Sequence, residues 1–150
     1  MDFFAEIDVR SNFPELQSGK FEVTSPKTPA YNCIAWAAGE FHRWWWPDNQ
    51  NYWPPSVPRA RTVEAFVLAF KLLGYEECQD SNLEEGFEKI AIFVGPTKTP
   101  THASRQLQDG QWTSKLGQSY DISHILDQVG GNFGRGYGVA TIFMKRRRKQ

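Results

Sequence analysis

The dipeptide Asp109-Gly110 constrains the fold of this chain more than any other short feature. It stands between two strand-like runs, residues 101–108 and 111–115. Asp-Gly at such a junction is a strong hairpin signal, because both positions accept the positive φ angles of a tight turn. We therefore expect an antiparallel hairpin in the C-terminal half of the chain.

Further strand-like runs surround this hairpin. The strongest apolar run, residues 89–94, precedes it, and a shorter run at 75–78 comes earlier. Residues 137–144 are expected to close the chain as a buried strand, and residues 20–24 alternate well enough to suggest another short one. Between the hairpin and the last strand, residues 121–129 suggest a short helix.

Helical patterns precede most of these strands. Asn32 is a favoured N-cap, and residues 33–42 contain good helix formers and no proline. The apolar residues at helical spacing that would face a core are Ile34, Ala37, Ala38 and Phe41. A second helix is expected from a Thr62 cap to a C-terminal Gly74. Helices followed by mostly antiparallel strands indicate an α+β fold, with the Cys-bearing helix packed on an antiparallel sheet.

The composition is typical of one soluble domain. The chain has 150 residues, 40% hydrophobic and 23% charged, with a formal net charge of zero. No global field therefore attracts nucleic acid or an anionic membrane, and no apolar run is long enough to span a bilayer. The acidic N-terminus is unlike a secretory signal, so we expect a cytoplasmic protein, or one exported without a classical signal peptide. The expected domain covers 1–150, with an irregular segment at 1–30 and a solvated basic tail at 145–150.

An aromatic segment, residues 44–58, contains four prolines and four tryptophans. Proline at this density excludes a helix or a central strand, so we expect an ordered loop. The tryptophans either pack as a cluster beneath this loop or wall a substrate groove: Trp44, Trp45, Trp46 and Trp53.

Cys33 is the main candidate for chemistry. At the first position of a helix, unpaired backbone N–H groups and the helix dipole would favour its thiolate. The alternative is a small buried hydrophobe, because free cysteine is among the most buried residue types. Two cysteines and three histidines, none at zinc-finger spacing, give no reason to expect a metal or a cofactor.

The segments "YNCIAWAAG" and "THASRQLQDGQWTSKLG" resemble the small papain-like amidases and peptidases of the NlpC/P60 and CHAP types, over about residues 29–117. In those families a Cys opens the central helix, and a His opens a strand of the following antiparallel sheet. A polar residue on the next strand orients that His. The combination "YNCIAWAAG … PTHASRQ … WTSKLG … ISH" is also similar to an uncharacterised bacterial domain family.

This resemblance implies a papain-like architecture and a set of roles. Cys33 would be the nucleophile and His102 the general base, oriented by either Ser114 or Asp109. The oxyanion donors would be the Cys33 backbone N–H and the amide of Asn32, and a reserve candidate for the base is His124.

The choice of orienting residue depends on the hairpin register. With a two-residue turn, Gln106 pairs with Thr113, and His102 shares its face of the sheet with these two residues. Only a longer turn or a bulge would bring Ser114 to the face of His102.

Two functions remain open. The first is a cysteine-dependent hydrolase of an amide or peptide bond, using a Cys-His dyad or triad on a peptide or protein substrate. The second is a non-catalytic protein-interaction domain on a papain-like scaffold, using the aromatic segment as its contact surface. The sequence does not fix the oligomeric state.

Overall fold

The computed structural model of the protein describes residues 5, 9, 13, 21–129 and 137–149. The α-helices whose bounds the structure describes both lie before most of the strands: α1 (Cys33–Ala37) and α2 (Val63–Lys71). The strands are β1 (Glu22–Ser25), β2 (Glu76–Cys78), β3 (Phe87–Val94), β4 (Pro100–Gln106), β5 (Trp112–Lys115), β6 (Asp121–His124) and β7 (Val139–Arg147). A 3₁₀ turn, Leu126–Val129, follows β6. Most of the segment predicted to be irregular, 1–30, lies outside the described residues.

The seven strands described form one sheet in the order β1-β6-β5-β4-β3-β7-β2. Every neighbouring pair within it is antiparallel. With α1 packed on β4 and β5, this confirms the predicted α+β fold with a Cys-bearing helix on an antiparallel sheet.

Both faces of the sheet are covered, which explains the apolar run in β3. Ile90 and Ile92 point to the face that holds α1, α2 and the aromatic segment. Ala91 and Phe93 point to the opposite face, where Phe21 and other apolar residues cover them. A strand buried on two faces needs apolar side chains at successive positions, whereas a half-buried strand alternates.

Helix α1 is shorter than the sequence predicts. Asn32 caps it as expected, its side-chain Oδ1 accepting from the N–H of Ala35 at 3.1 Å. Gly39, with φ at 90°, then ends the helix, and the N–H of Glu40 bonds back to the Ala35 carbonyl at 2.8 Å. The prediction of a helix over 33–42 with Phe41 facing the core is therefore wrong: Phe41 lies beyond the helix and is 65% exposed.

Helix α2 confirms both of its predicted ends. Thr62 Oγ1 accepts from the N–H of Ala65 at 3.2 Å, which is an N-cap hydrogen bond. At the other end Gly74 has a φ of 94°, and the N–H of Tyr75 bonds to the Phe70 carbonyl at 3.2 Å. The helix holds Phe70 and its neighbours against the sheet.

The predicted helix over 121–129 is wrong. Residues Asp121–His124 form β6, which lies between β1 and β5 and is buried along its whole length. Pairing on both edges satisfies its backbone groups, so tertiary contacts override the local preference. Only Leu126–Val129 turns, as a 3₁₀ segment.

The basic C-terminal residues also depart from the prediction of a solvated tail at 145–150. Strand β7 continues to Arg147, between β3 and β2. Lys145 Nζ contacts both carboxylate oxygens of Glu84, at 2.8 and 3.1 Å, and Arg146 Nε donates to Glu88 at 2.5 Å. Acidic partners therefore hold this end of the chain in the sheet; residue 150 lies outside the described residues.

Among the described residues, no helix is both long enough and apolar enough to cross a bilayer.

Candidate functional site

The turn between β4 and β5 sets the register of the site. Leu107 donates its N–H to the Gln111 carbonyl at 2.7 Å, which leaves three residues in the loop, and Gly110 has a φ of 89°. Arg105 therefore pairs with Thr113, one position away from the pairing expected for a two-residue turn. A shift of one residue moves every side chain of β5 to the other face.

This register brings Ser114 to His102. Ser114 Oγ lies 2.9 Å from His102 Nε2, 2.6 Å from Ser104 Oγ and 2.7 Å from His124 Nε2. On its other side, the His124 ring places Nδ1 at 2.6 Å from the Ile125 carbonyl oxygen. Of the two predicted orienting residues, Ser114 is the one that contacts His102. The reserve base, His124, is linked to His102 through hydrogen bonds with Ser114.

Asp109 lies elsewhere. Its side chain is exposed in the turn, where Oδ1 accepts from the N–H of Gln111 at 2.9 Å. This contact stabilises the loop that sets the register. Its structural contribution is therefore to the geometry of the hairpin.

His102 is enclosed by aromatic rings. The Tyr137 ring stacks on it with centroids 3.9 Å apart, and Phe93 meets it edge-on at 5.3 Å. Its Nδ1 has no hydrogen-bond partner among the described residues. Burial, and then the neighbouring His124, lower the pKa of His102 well below its usual value. Burial lowers the pKa of His124 to about 4, although its bond to the Ile125 carbonyl opposes this.

Cys33 begins α1 as predicted, but its thiol is not activated by that position. Burial raises its pKa to about 11, although backbone N–H groups of Ala103, Ile34 and Cys33 itself, with Lys115 nearby, act in the opposite direction. A helix of five residues has only a small dipole to offset the loss of hydration. In this conformation the group is therefore a neutral thiol.

Cys33 and the side chain of His102 lie on opposite faces of β4. The Cys33 sulfur lies against the backbone of Ala103 and packs in the cluster around α1, whereas His102 packs with Phe93 and Tyr137. Successive side chains on a strand point to opposite faces, so the adjacent positions of His102 and Ala103 on β4 account for this separation. No hydrogen bond joins them among the described residues, and the catalytic dyad stays a prediction.

Tyr137 connects the two sides. Its ring stacks on His102, and it also lines a cleft of about 330 Å³ into which Cys33 opens. The cleft is lined by Asn32, Cys33, Trp44, Trp46, Asp48, Asn51, Thr101, Gly117 and Tyr137. It is therefore the space in which a ligand would meet both the thiol and the ring that covers the imidazole.

The four tryptophans divide into two pairs. Trp44 and Trp46 line the cleft and are half-buried. Trp45 and Trp53 are buried in the core, where Trp53 Nε1 donates to the Pro58 carbonyl at 3.0 Å. The predicted substrate-binding set thus separates into two cleft residues and two packing residues.

Asn32 connects α1 to the aromatic segment. Besides capping the helix, Oδ1 accepts from the N–H of Trp45 at 3.0 Å, and Nδ2 donates to the Trp45 carbonyl at 2.6 Å. One hydrogen of Nδ2 is left beyond this bond, so a role as an oxyanion donor remains a prediction.

A second buried polar cluster was not expected from the sequence. Lys115 Nζ donates to the Thr28 carbonyl at 2.7 Å and lies 5.0 Å from the centre of the Tyr31 ring. The Tyr31 hydroxyl in turn donates to Asp121. Burial raises the pKa of this carboxyl group. A lysine in a strand after a hairpin is usually solvated, so no local signal marks Lys115 as buried. Tyr137 likewise carries no local signal of its place beside His102, because its sequence context predicts only a strand.

Fold and site together define an α+β domain in which a buried Cys, His and Ser lie at two neighbouring strands of an antiparallel sheet. The chain belongs to a family described as a domain of unknown function, DUF7689, whose model matches residues 22–145. This match includes Cys33, His102, Ser114 and His124. No curated protein and no solved structure gave a significant match.

Proposed function

We propose that this protein is a cysteine-dependent hydrolase of an amide or peptide bond, with Cys33 as nucleophile and His102 as general base. The observation that carries the proposal is the arrangement of the His102 ring. Ser114 holds one ring nitrogen, while the other is buried without a partner among the described residues. An unpaired buried polar atom costs stability, and a catalytic role is one of the explanations for such an atom.

In the proposed reaction Cys33 attacks the substrate and His102 transfers the proton. Cys33 Sγ forms a bond to the substrate carbonyl carbon as its proton passes to His102 Nδ1. The C–N bond then breaks, and the amine leaves with that proton, so a thioester remains. Water attacks the thioester and gives a proton to Nδ1, and the departing sulfur takes this proton up as the acid is released.

The pKa values favour proton transfer during the attack over a preformed ion pair. The pKa of Cys33 is raised to about 11 and that of His102 is lowered, so thiol and imidazole are both neutral before a substrate binds. The sulfur must reach the imidazole through the space between β4 and β5. These strands bridge at two positions, 105–113 and 106–112, in the part of the chain that is described.

The cleft favours an extended substrate with an apolar group. Trp44, Trp46 and Tyr137 supply flat apolar walls, and Asp48 and Asn51 supply polar groups. Aromatic walls with a few placed polar groups are typical of pockets that bind a ligand. The candidate oxyanion donors are the Cys33 backbone N–H and the second hydrogen of Asn32 Nδ2.

A panel of peptides and simple amides, followed by intact-mass measurement, tests the proposal. We expect an acyl adduct on Cys33 and product formation that disappears in Cys33→Ala. His102→Gln should slow the reaction by about 100-fold or more, the usual contribution of a general base. Equal product formation by the wild-type protein and Cys33→Ala would contradict the hydrolase.

A protein-interaction domain is the second candidate, and the raised pKa of Cys33 favours it. A buried neutral thiol packs as a small apolar side chain. The cleft would then bind a peptide without cleaving it. In that case a peptide captured from the panel would remain intact in the complex, and its affinity would depend on Trp44 but not on the sulfur of Cys33.

A further inference from the structure

We infer that His124 is a positioning residue: acting through Ser114, it holds His102 in the tautomer that carries its proton on Nε2 and leaves Nδ1 as an acceptor. The catalytic meaning of this inference rests on the proposed hydrolase. The tautomer itself follows from the hydrogen bonds alone.

The assignment begins at Ile125. Its carbonyl oxygen can only accept, and it lies 2.6 Å from His124 Nδ1, so Nδ1 carries the proton of that ring. In a neutral imidazole the other nitrogen then has a lone pair and accepts. His124 Nε2 is therefore an acceptor, and it faces Ser114 Oγ at 2.7 Å.

The hydroxyl of Ser114 connects the two rings and determines which nitrogen of His102 carries a proton. A serine hydroxyl has one proton, which here is donated to His124 Nε2. Towards its other two neighbours Ser114 Oγ can only accept, so Ser104 donates to it at 2.6 Å and His102 Nε2–H donates at 2.9 Å. With its proton on Nε2, neutral His102 has its lone pair on Nδ1.

Both rings are neutral near pH 7, as this chain of hydrogen bonds requires. Burial lowers the pKa of both histidines, that of His124 to about 4. The hydrogen bonds of this network join His102, Ser104, Ser114 and His124 to one another and to a backbone carbonyl. Within the part of the chain that is described, no carboxylate takes part in them.

The direction of the Ser114 hydroxyl is what His124 controls. If the acceptor at His124 is removed, Ser114 is free to donate to His102 Nε2 instead. The proton of His102 then moves to Nδ1, which can no longer accept a proton from a thiol. The orientation of a single O–H bond thus decides whether the proposed base is available.

Nitrogen-15 NMR of histidine-labelled protein at neutral pH tests the tautomers directly. In the wild-type protein we expect His102 to show an unprotonated Nδ1 and His124 an unprotonated Nε2. In His124→Leu, His102 should shift towards the Nδ1–H form. His124→Gln should restore the wild-type pattern, because its side-chain oxygen can accept near the position of Nε2.

Ser104→Ala is the matched control, because it removes a donor to Ser114 and leaves the acceptor at His124. The tautomer of His102 should not change in this variant. A proton on His102 Nδ1 in the wild-type protein would overturn the inference, and so would an unchanged His102 pattern in folded His124→Leu. If that variant does not fold, the wild-type spectrum decides.

Hydrolysis assays on the same proteins separate the two proposals. With the expected tautomers and no Cys33-dependent hydrolysis, the positioning of His102 stands and the hydrolase fails. With Cys33-dependent hydrolysis and a proton on His102 Nδ1, the hydrolase stands and the positioning by His124 fails. If both hold, His124→Leu should lower kcat at least about ten-fold with little change in KM, and His124→Gln should recover most of it.

Discussion

At the scale of single residues, burial dominates the chemistry of this protein. Cys33 has backbone N–H groups and a lysine nearby, yet its pKa rises to about 11 because the sulfur is removed from water. The sequence could indicate that Cys33 begins a helix, since the Asn32 cap is a local signal. It could not indicate how deeply the sulfur would lie, because that depends on β4 packing against it.

The first prediction concerns the reactivity of this thiol. In a Cys78→Ser background, the alkylation rate of Cys33 by iodoacetamide should rise continuously with pH and approach an apparent pKa of about 11. The reason is that thiolate is the reacting form and burial disfavours it. A rate that levels off near the ordinary thiol pKa of about 8.5 would contradict this.

The second prediction concerns the pH dependence of stability through His124. Its pKa is about 4 in the folded protein against 6.5 in an unfolded chain, so below pH 6.5 the unfolded state binds more protons. Stability is therefore complete above pH 6.5 and is lost as pH falls towards 4. The loss due to this group is about 3 kcal/mol by linkage.

Urea unfolding of the wild-type protein and His124→Gln at several pH values measures this contribution. The difference in free energy of unfolding between the two proteins should shrink by that amount between pH 7 and pH 4. Taking a difference removes the opposite effect of Asp121, whose raised pKa favours folding as pH falls. Parallel curves for the two proteins would exclude the assignment.

At the scale of elements, the sequence predicts the bounds of a helix correctly where residues at both of its ends carry a capping signal. Helix α2 has Thr62 at one end and Gly74 at the other, and both act as predicted. The helix predicted over 33–42 is longer than α1, because Gly39 ends the helix while the apolar spacing continues to Phe41. The sequence predicts a helix where β6 forms, because pairing with β5 and with β1, which is distant in sequence, decides its conformation.

The hairpin shows how much depends on one residue of loop length. Asp109-Gly110 correctly located the turn, but the loop has three residues instead of two. The sequence therefore predicted the hairpin and left open which residue meets His102. The register answers that question in favour of Ser114.

The third prediction tests this loop. Gly110 has a φ of 89°, so Gly110→Ala should cost about 1–2 kcal/mol in the free energy of unfolding. Gly110→Asn is the matched variant and should cost less, because asparagine tolerates positive φ better than alanine does. Urea unfolding measures both. Equal losses for the two variants would mean that the backbone angle is not the cause.

At the scale of the whole molecule, the aromatic segment has two roles, core packing and lining of the cleft, and different tryptophans fill them. Trp53 is buried and packs on Phe66 with ring centroids 5.0 Å apart, whereas Trp44 lines the cleft. The sequence predicted an ordered loop near Cys33, but four similar tryptophans gave no basis for telling the packing pair from the cleft pair.

The fourth prediction separates these roles. Trp53→Ala should destabilise the protein by about 3–5 kcal/mol, because it empties a large volume in the core. Trp44→Ala should change the free energy of unfolding by less than about 1 kcal/mol but weaken binding of a peptide selected from the panel. Thermal unfolding and calorimetric titration measure the two effects. Unchanged affinity in Trp44→Ala would remove the cleft from the binding site.

The short pairing between β4 and β5 places stability and activity in competition. A sheet gains hydrogen bonds by closing along its full length, yet the proposed reaction needs these two strands to stay apart beyond Arg105 and Thr113. Selection for thermal resistance alone should therefore favour variants that extend this pairing. Such variants would resist thermal unfolding better but would lack hydrolase activity. Directed evolution under heat, with thermal stability and turnover measured separately, would reveal this trade-off.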